Sequence, residues 1–361
     1  MNVRQFVLNA LNRALRPAGI SLQRYKVPRA VVNTDRPMTR ALCASSCFKS
    51  DPVAFVDVGC AGGLDERWRL FGDQMRALGI DAMTEECDRL RSLERNPAVK
   101  YVDARVGVAR DHPVVRGRPQ GALPRRSPWE RLSVASALAI RRRQQRGREE
   151  ALRSNEWPEQ PLSPRQLTVD ELVATQSVSD LDFLKIDVDG PDYEILAGFM
   201  PHLSRLQTLG LKLEINFHGD AEEDTHTFHN TDRLMRRNGF DLYWLSTRNY
   251  SMSALPADFA YGELGPTSFG RIFQGDAIYF RDPLGESPAD LSVVKLLKLA
   301  CLFELYDLPD CAAEILLRFR EKIARSDTDQ LLNLLVPRFD GARLPYTEYL
   351  ARFNADPRSF L

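Results

Sequence analysis

The sequence lacks several features that would place it in a broad class of protein. Lys and Arg together number 49, and so do Asp and Glu, so neither charge is in excess. A globally basic nucleic-acid-binding protein is therefore disfavoured, and we expect no nucleic-acid partner. No apolar run approaches the roughly 18 residues that a membrane-spanning helix needs. Residues 1–17 contain no continuous apolar stretch or small-residue cleavage site, so we predict no secretory signal.

The cysteines also form no recognisable pattern. They are Cys43, Cys47, Cys60, Cys87, Cys301 and Cys311. No two form a C-x-x-C pair, and no paired histidines accompany them as in a zinc site. Scattered thiols in a long chain are typical of a reduced cytosolic protein, so we predict a cytoplasmic location.

Short apolar runs alternate with helical patterns between Val53 and Phe280. The strand candidates are VAFVDV, IDAMTEE, VKYVDARVGVA, Asp182–Val188, Thr208–Asn216, Phe240–Leu245 and Ala277–Phe280. The helix candidates between them include Asp65–Leu78, Val169–Gln176, Asp192–Leu203 and Thr227–Arg237. This alternation predicts an α/β fold whose mainly parallel sheet is covered by helices on both faces.

The pattern changes divide the chain into three parts. Residues 1–50 are interpreted as an N-terminal helical extension, 51–282 as the α/β domain and 290–361 as a C-terminal helical appendage. Helices are predicted in the appendage over Leu291–Tyr306, Cys311–Ala324 and Asp327–Val336. Their apolar stripes are typical of core or of dimer contact, and a homodimer through them stays open.

A basic insertion at about 110–165 interrupts the α/β domain. Between residues 116 and 153 there are eleven Arg and three Glu, and eleven minus three gives a local charge of +8. The simpler interpretation is a solvated surface. The alternative is a lid over an anionic acceptor such as an acidic glycan.

The first residues predict a basic amphipathic helix. Its apolar positions are Val3, Phe6, Val7, Ala10, Leu11, Ala14 and Leu15. Arg4, Arg13 and Arg16 lie between or after them, and Pro17 ends the pattern. The stretch is short and only modestly basic, so docking on its own domain is favoured, while contact with a membrane surface stays open.

A glycine-rich turn follows the first strand in FVDVGCAGGLDERW. Asp57, Gly59, Gly62 and Gly63 read D-x-G-x-x-x-G rather than the dinucleotide fingerprint G-x-G-x-x-G. Glycines let the backbone approach a ligand closely. An acid before the first glycine would repel a pyrophosphate and suits an amine-bearing ligand such as S-adenosylmethionine.

Two further acids are placed to bind the rest of such a cofactor. Glu85 is predicted at the end of the second strand, where an acid normally binds the two ribose hydroxyls. Glu86 is adjacent, and the sequence alone does not decide between them. Asp103 ends the third strand, within reach of an adenine amine.

The fourth strand, DFLKIDVDGPDYEIL, is the most specific feature. Strand alternation puts Lys185, Asp187 and Asp189 on one face if the strand stays regular. Charges in an otherwise apolar strand are costly unless they are paired or used. Glu214 and His218 follow the next strand, so these groups are predicted to meet at the carboxyl edge of the sheet.

Some of the residues predicted at this edge of the sheet could act as a general base, and others could bind the acceptor. The general-base candidates are Asp189, Asp187 and His218, with no order among them. Lys185 and Glu214 are predicted to bind the acceptor. His226 and His229 lie nearby, but no open-site ligand triad is evident from their spacing, so we predict no metal.

These motifs resemble the FkbM family of S-adenosylmethionine-dependent methyltransferases. The similarity covers roughly Val53 to Asp282 through VDVGCAGG, TVDEL, DFLKIDVDGPDYEIL, LKLEINFHG and RRNGFDLYWL. It implies a Rossmann-like class I methyltransferase sheet, S-adenosyl-L-methionine as cofactor and methyl transfer to oxygen. The implied acceptor is a hydroxyl of a sugar, glycan or polyketide-like metabolite. The family usually has Glu at the position of Asp189 and an acid-Pro pair at that of Glu85-Glu86.

Two other functions remain alternatives at this stage. A nicotinamide-dependent oxidoreductase uses a similar sheet, although the acid-led turn argues against it. A non-catalytic binding module would use the insertion and the N-terminal helix as partner surfaces. The intact turn glycines and the uninterrupted fourth-strand motif argue against that function.

Overall fold

The structure is a computed structural model. It describes residues 17, 30–31, 33–115, 163–176, 178–188, 190–219, 225–254, 266–267, 271–284 and 291–360. The predicted N-terminal helix, nearly all of the basic insertion and the base candidate Asp189 lie outside the described residues.

Twelve strands are assigned within this part of the chain. They are β1 Ala30–Val31, β2 Val53–Val58, β3 Met75–Asp81, β4 Val99–Asp103, β5 Arg105–Gly107, β6 Gln166–Thr168, β7 Phe183–Ile186, β8 Gly210–Asn216, β9 Asp241–Tyr250, β10 Pro266–Thr267, β11 Ile272–Phe280 and β12 Arg338–Phe339. Eight of them form the main sheet in the order β10-β9-β11-β8-β7-β2-β3-β4. Strands β4, β3, β2, β7 and β8 are parallel, whereas β11, β9 and β10 pair in antiparallel fashion.

The described helices flank this sheet or follow it. They are α1 Pro37–Ala44, α2 Thr84–Leu93, α3 Val169–Thr175, α4 Asp192–Arg205, α5 Phe228–Arg237, α6 Val293–Leu305, α7 Pro309–Arg318, α8 Arg320–Ile323, α9 Arg325–Leu335 and α10 Tyr346–Ala355, with 3₁₀ segments at Glu66–Gln74 and Pro357–Phe360. Helix α3 starts at a capping box, in which Thr168 and Glu171 bond each other's backbone N–H.

Strand alternation sends side chains to two separate cores. Val56, Leu184 and Leu213 pack with α3, α4 and α5 on one face. Phe55 and Phe183 pack with the C-terminal helices on the other. The predicted α/β sheet with helices on both faces is confirmed. The chain passes from β2 to β3 on one side and places β7 on the other, which opens a crevice at the carboxyl ends of these strands.

The C-terminal helices share a core with the sheet. Phe183 and Phe280 stack or pack on Tyr306, at ring-centroid distances of 5.0 and 6.0 Å. Lys298 of α6 is fully buried and bonds Asp182, at the start of β7, at 2.9 Å. The helices therefore stabilise the sheet directly.

Several predicted elements were wrong in their bounds. The helix predicted over Asp65–Leu78 is a 3₁₀ segment that ends at Gln74, and the following strand runs from Met75 to Asp81. The predicted strand IDAMTEE therefore lies largely in the turn and helix after β3. The helix predicted over Cys311–Ala324 is divided into α7 and α8, and α10 was not predicted.

Candidate active site

The glycine turn after β2 touches the end of β7. Gly59 has φ +90°, which favours glycine, and its N–H donates to the carbonyl of Ile80 at 2.8 Å. A Cβ at Gly59 would stand 1.8 Å from the carbonyl oxygen of Asp187. The turn and Asp187 are thus in direct backbone contact, which brings the predicted cofactor site next to a base candidate.

A cluster of three charges surrounds this contact. Lys185 of β7 lies opposite Asp57 of β2 in the sheet, and Lys212 of β8 borders it on the other side. The Nζ of Lys185 donates to Oδ1 of Asp57 at 3.0 Å and to the Gly59 carbonyl at 3.1 Å, and it lies 3.7 Å from Oδ2 of Asp187. We call Asp57, Lys185 and Asp187 the carboxyl-edge cluster. It joins the turn to the end of β7.

The members of the carboxyl-edge cluster differ in exposure. Asp57 is 1% exposed, and burial raises its pKa to about 6 although Lys185 opposes the rise. Burial opposes the charge of Lys185 as well, but Asp57 and Asp187 raise the pKa of its ammonium above the ordinary value. The Asp187 side chain is 39% exposed, so this carboxylate can meet a substrate.

Asp57 retains an unsatisfied acceptor. Its Oδ2 is buried and has no hydrogen-bond partner among the described residues, while Oδ1 accepts from Lys185. A buried carboxylate oxygen without a donor is costly. The ammonium group of an amino acid would supply that donor, so the chemistry of the turn fits the methionine part of S-adenosylmethionine. At Gly62, no atom of the described residues lies within 4 Å of the place that a Cβ would take.

Asp81, which the sequence analysis missed, occupies the place predicted for Glu85. It is the last residue of β3 and is buried, and it accepts the N–H groups of Met83, at 2.8 Å, and Ala61. Burial raises the pKa of its carboxyl. Glu85 instead lies exposed on the first turn of α2. The misplaced strand caused this error, because MRALGID rather than IDAMTEE forms β3.

Glu86 fixes the glycine turn from α2. Its Oε1 accepts the N–H of Gly62 at 2.8 Å, and Arg89 pairs with the same carboxylate at 2.6 Å. Of the two adjacent acids, Glu86 therefore contacts the turn. Asp103 ends β4 as predicted, and Arg91 lies 2.5 Å from it and lowers the pKa of its carboxyl.

A second group of charges lies on β8, β9 and β11. Glu214 is buried and accepts from Gln274 at 2.6 Å and from Arg248 at 3.3 Å. Arg248 also pairs with Asp276 at 2.5 Å. Glu214 and Asp276 are opposite each other in the sheet. This group follows Lys212 along the same face of β8, so it borders the carboxyl-edge cluster.

Asp192 braces the loop on either side of Asp189. Its two oxygens accept the N–H groups of Val188 at 2.9 Å and of Gly190 at 3.0 Å. His226 lies 4.0 Å from the same carboxylate, and its other ring nitrogen lies 3.2 Å from the Glu214 carbonyl. The position of the loop is therefore determined by β8 and by the start of α4.

His218 follows β8 and is half-buried. Its ring lies 5.9 Å from that of Phe273. Burial lowers the pKa of its imidazole, and the charges of His226 and Arg271 add to the effect. The neutral ring keeps the chemistry of a base, but no contact places it against the carboxyl-edge cluster within the described part of the chain.

Two absences hold for the described residues alone. No three His, Cys, Asp or Glu side chains in those ranges are grouped so that they could hold a metal ion. The prediction of no metal stays a prediction. No helix within the same ranges is long and apolar enough to cross a membrane.

Residues 98–242 match the family model described as the methyltransferase FkbM domain. The predicted FkbM methyltransferase family is confirmed over this span. The matched residues include β7, β8 and the charges they carry. S-adenosylmethionine is the methyl donor of this family, so the cofactor prediction is confirmed with it. The glycine turn precedes the matched span, and its assignment depends on the geometry above.

Solved methyltransferase structures resemble this chain at low identity. Magnesium protoporphyrin IX methyltransferase from Synechocystis PCC 6803 with bound SAH is 10% identical, with 77% of this chain and 100% of that chain covered and a TM-score of 0.31. Precorrin-6y C5,15-methyltransferase from Geobacter metallireducens GS-15 is 11% identical, with 67% and 86% covered and a TM-score of 0.29. No curated protein matches the sequence.

Proposed function

We propose that this methyltransferase transfers the methyl group of S-adenosylmethionine to a hydroxyl oxygen of a sugar, glycan or polyketide-like metabolite. The observation that carries the proposal is the contact between Gly59 and Asp187. It places a partly exposed carboxylate beside the turn that suits the amino-acid end of the donor.

The chain's own residues have separate roles in this proposal. The glycine turn, Asp57 and Lys185 hold the amino-acid end of the cofactor, and Asp81 lies where the ribose hydroxyls are bound in similar sheets. When bound, S-adenosylmethionine supplies an already activated methyl group. The protein must then orient an acceptor oxygen. In well-aligned reactions, such orientation lowers the activation free energy by roughly 7–11 kcal/mol.

A hydroxyl must lose its proton as it becomes an ether. Asp187 is the described carboxylate placed to accept that proton, because it is partly exposed and Lys185 stabilises its charge. The Asp187 carboxylate would take up this proton as the O–CH3 bond replaces the S–CH3 bond of the bound donor. Asp189 and His218 remain the other base candidates. Arg248, Glu214 and Lys212 border the same place and offer hydrogen bonds to acceptor hydroxyls.

An anionic acceptor is proposed only through the basic insertion, which lies outside the described residues. The cytoplasmic location, the homodimer and the membrane contact stay predictions.

The proposal is tested by methyl labelling. The purified chain is given S-adenosylmethionine with a labelled methyl group and an extract of small metabolites and glycans. We expect a labelled product whose methyl group survives mild alkali, as an ether does and an ester does not. Asp187→Asn should lose at least about 10²-fold in labelling while it still binds the cofactor.

Asp170→Asn is the matched control. Asp170 is 79% exposed on α3 and paired with His202, outside the carboxyl-edge cluster, so labelling should stay at the wild-type level. A methylated protein or an alkali-labile ester would contradict the proposed acceptor. Full labelling by Asp187→Asn would exclude Asp187 as the base.

A further inference from the structure

The C-terminal helices form a groove whose lining includes no residue of the carboxyl-edge cluster. It lies between α7, α9 and α10 and has a volume of about 600 Å³. Leu332, Leu335 and Val336 line its floor, and Tyr346 and Tyr349 line one wall. We call this the C-terminal groove. Its volume suits the side chains of one helical face rather than a whole helix.

The C-terminal groove is acidic as well as apolar. Asp307, Asp310 and Glu314 line it, and no Lys, Arg or His is among its described lining residues. Asp307 is paired with Arg36 at 2.8 Å. Asp310 and Glu314 are exposed, and no ion pair within the described ranges involves either. The groove therefore favours a partner that is both apolar and cationic.

The N-terminal part of the described chain is anchored at the rim of this groove. Strand β1 pairs with β12, which begins directly after the lining residue Pro337. The side chain of Asn33 donates to the carbonyl of Val336, another lining residue, at 2.8 Å. Residues 17–29 separate this anchor from the predicted N-terminal helix and can span up to about 45 Å.

The first 16 residues are positively charged and apolar, and so complement the acidic, apolar groove. They contain Arg4, Arg13 and Arg16 and no acidic residue, and seven apolar positions repeat at helical spacing. A helix over residues 3–15 would be about 20 Å long. Attachment at the rim would give it an effective concentration on the order of millimolar, so a weak intrinsic affinity is enough for occupancy.

We propose that residues 1–16 of this same chain bind in the C-terminal groove. Their apolar stripe covers the leucine floor, and their arginines lie beside Asp310 and Glu314. The two other candidate occupants are a second copy of the chain, bound through the same groove, and a membrane surface that takes up the helix instead. The proposal is independent of the methyl acceptor.

Photo-crosslinking in the full-length chain tests this interaction. Phe6 is replaced by benzoylphenylalanine, the protein is irradiated, and the linked peptides are mapped by mass spectrometry. We expect intrachain links to peptides that contain Leu317 or Leu335. The control places the same group at Asn12, on the polar side of the predicted helix, and should give about tenfold fewer such links.

A matched pair of groove variants separates binding from folding. Leu317 lines the groove and is 41% exposed, whereas Leu350 is 38% exposed and does not line it. Leu317→Lys should reduce the Phe6 links about tenfold, which corresponds to about 1.4 kcal/mol. Leu350→Lys should leave them unchanged. Both substitutions are at exposed sites, so neither should unfold the protein.

Each other outcome overturns the proposal. Links from position 6 to another surface of the same chain would place the segment elsewhere. Links between two chains, with a yield that rises with protein concentration, would assign the groove to a second copy. If anionic vesicles are added and position 6 links to lipid instead of to the groove, the segment is a membrane anchor. Equal yields for Leu317→Lys and Leu350→Lys would show that the groove is not the binding surface.

Discussion

The two ends of β7 each carry an Asp–Lys cluster, and the clusters differ in how fully they are satisfied. At its start, Asp182 accepts from Lys295 at 2.6 Å, from Lys298 at 2.9 Å and from the Ala54 N–H at 2.8 Å. Beside its end, Asp57 of β2 has one oxygen that accepts from Lys185 and another that has no donor in the described part of the chain. We call the first group the amino-edge cluster.

The same residue types therefore have a structural role in the amino-edge cluster and a proposed functional role in the carboxyl-edge cluster. A buried carboxylate whose oxygens are all bonded contributes to a unique packed state, as Asp182 does between the sheet and α6. A buried carboxylate with an orphaned oxygen costs free energy unless a ligand completes it. The amino-edge cluster therefore joins the sheet to α6, whereas the carboxyl-edge cluster lies where we propose that the cofactor binds.

The amino-edge cluster should be the more sensitive to substitution. Asp182→Ala removes the fully buried carboxylate that Lys295 and Lys298 share, so we expect the free energy of unfolding to fall by about 3–5 kcal/mol. Chemical denaturation measures this loss, with Asp170→Ala as the exposed control. A change below about 1 kcal/mol would mean that the C-terminal helices do not depend on this ion pair.

Gly59→Ala should remove cofactor binding. Its Cβ would meet the Asp187 carbonyl oxygen at 1.8 Å, and alanine is strained at φ +90°. The turn and the end of β7 must then separate, so we expect at least about a 10²-fold loss of S-adenosylmethionine affinity by calorimetry. Gly341→Ala, at a positive-φ glycine with open space around its Cβ position, is the control and should bind normally. Normal affinity in the Gly59 variant would contradict the position of the cofactor.

Lys185→Met should weaken cofactor binding while it lowers the stability of the fold only moderately. Without Lys185, Asp57 can take up a proton because burial has already raised its pKa to about 6. We therefore expect a stability loss of about 2 kcal/mol, which is smaller than that of Asp182→Ala, together with weaker cofactor binding. Denaturation and calorimetry on one preparation measure both. A stability loss equal to that of Asp182→Ala would remove the distinction between the clusters.

The titration of Asp57 should move stability and binding in opposite directions. Its folded pKa of about 6 is above the model-compound value of 3.8. Its contribution to stability is therefore present below the unfolded pKa and lost as pH rises through about 6. Cofactor affinity requires the ionised carboxylate, so it should fall about tenfold per unit as pH drops below 6. The difference between wild type and Asp57→Asn isolates this group, and identical pH profiles would contradict its role.

The sequence predicted the site where local pattern determines it. Asp57 lies in a fully buried strand and Gly59 follows it, and the alternation of Lys185 with apolar neighbours placed Lys185 on the same face as Asp57. Asp81 was missed because the 3₁₀ segment before β3 has a helix-like pattern that extends into the strand. Helical spacing continued through Leu78, although the chain is extended from Met75 onward.

The remaining contacts depend on pairings that are distant in the chain. Arg248 reaches Glu214 only because β9 and β11 return antiparallel beside β8. His226, just before α5, lies 4.0 Å from Asp192 at the start of α4. Neither the spacing nor the composition of the sequence predicts that these residues contact each other. The sequence therefore predicted the carboxyl edge of the sheet, but not which charges are satisfied there.

The central claim is that Asp57 receives the amino group of the methyl donor, and a calorimetric titration of S-adenosylmethionine into wild type and Asp57→Asn tests it most directly. We predict measurable binding by wild type and an affinity about 10–100-fold lower for Asp57→Asn, with an unfolding free energy within about 1 kcal/mol of wild type. Asp88→Asn, an exposed acid on α2, should bind like wild type. Equal affinity of Asp57→Asn and wild type would contradict the account.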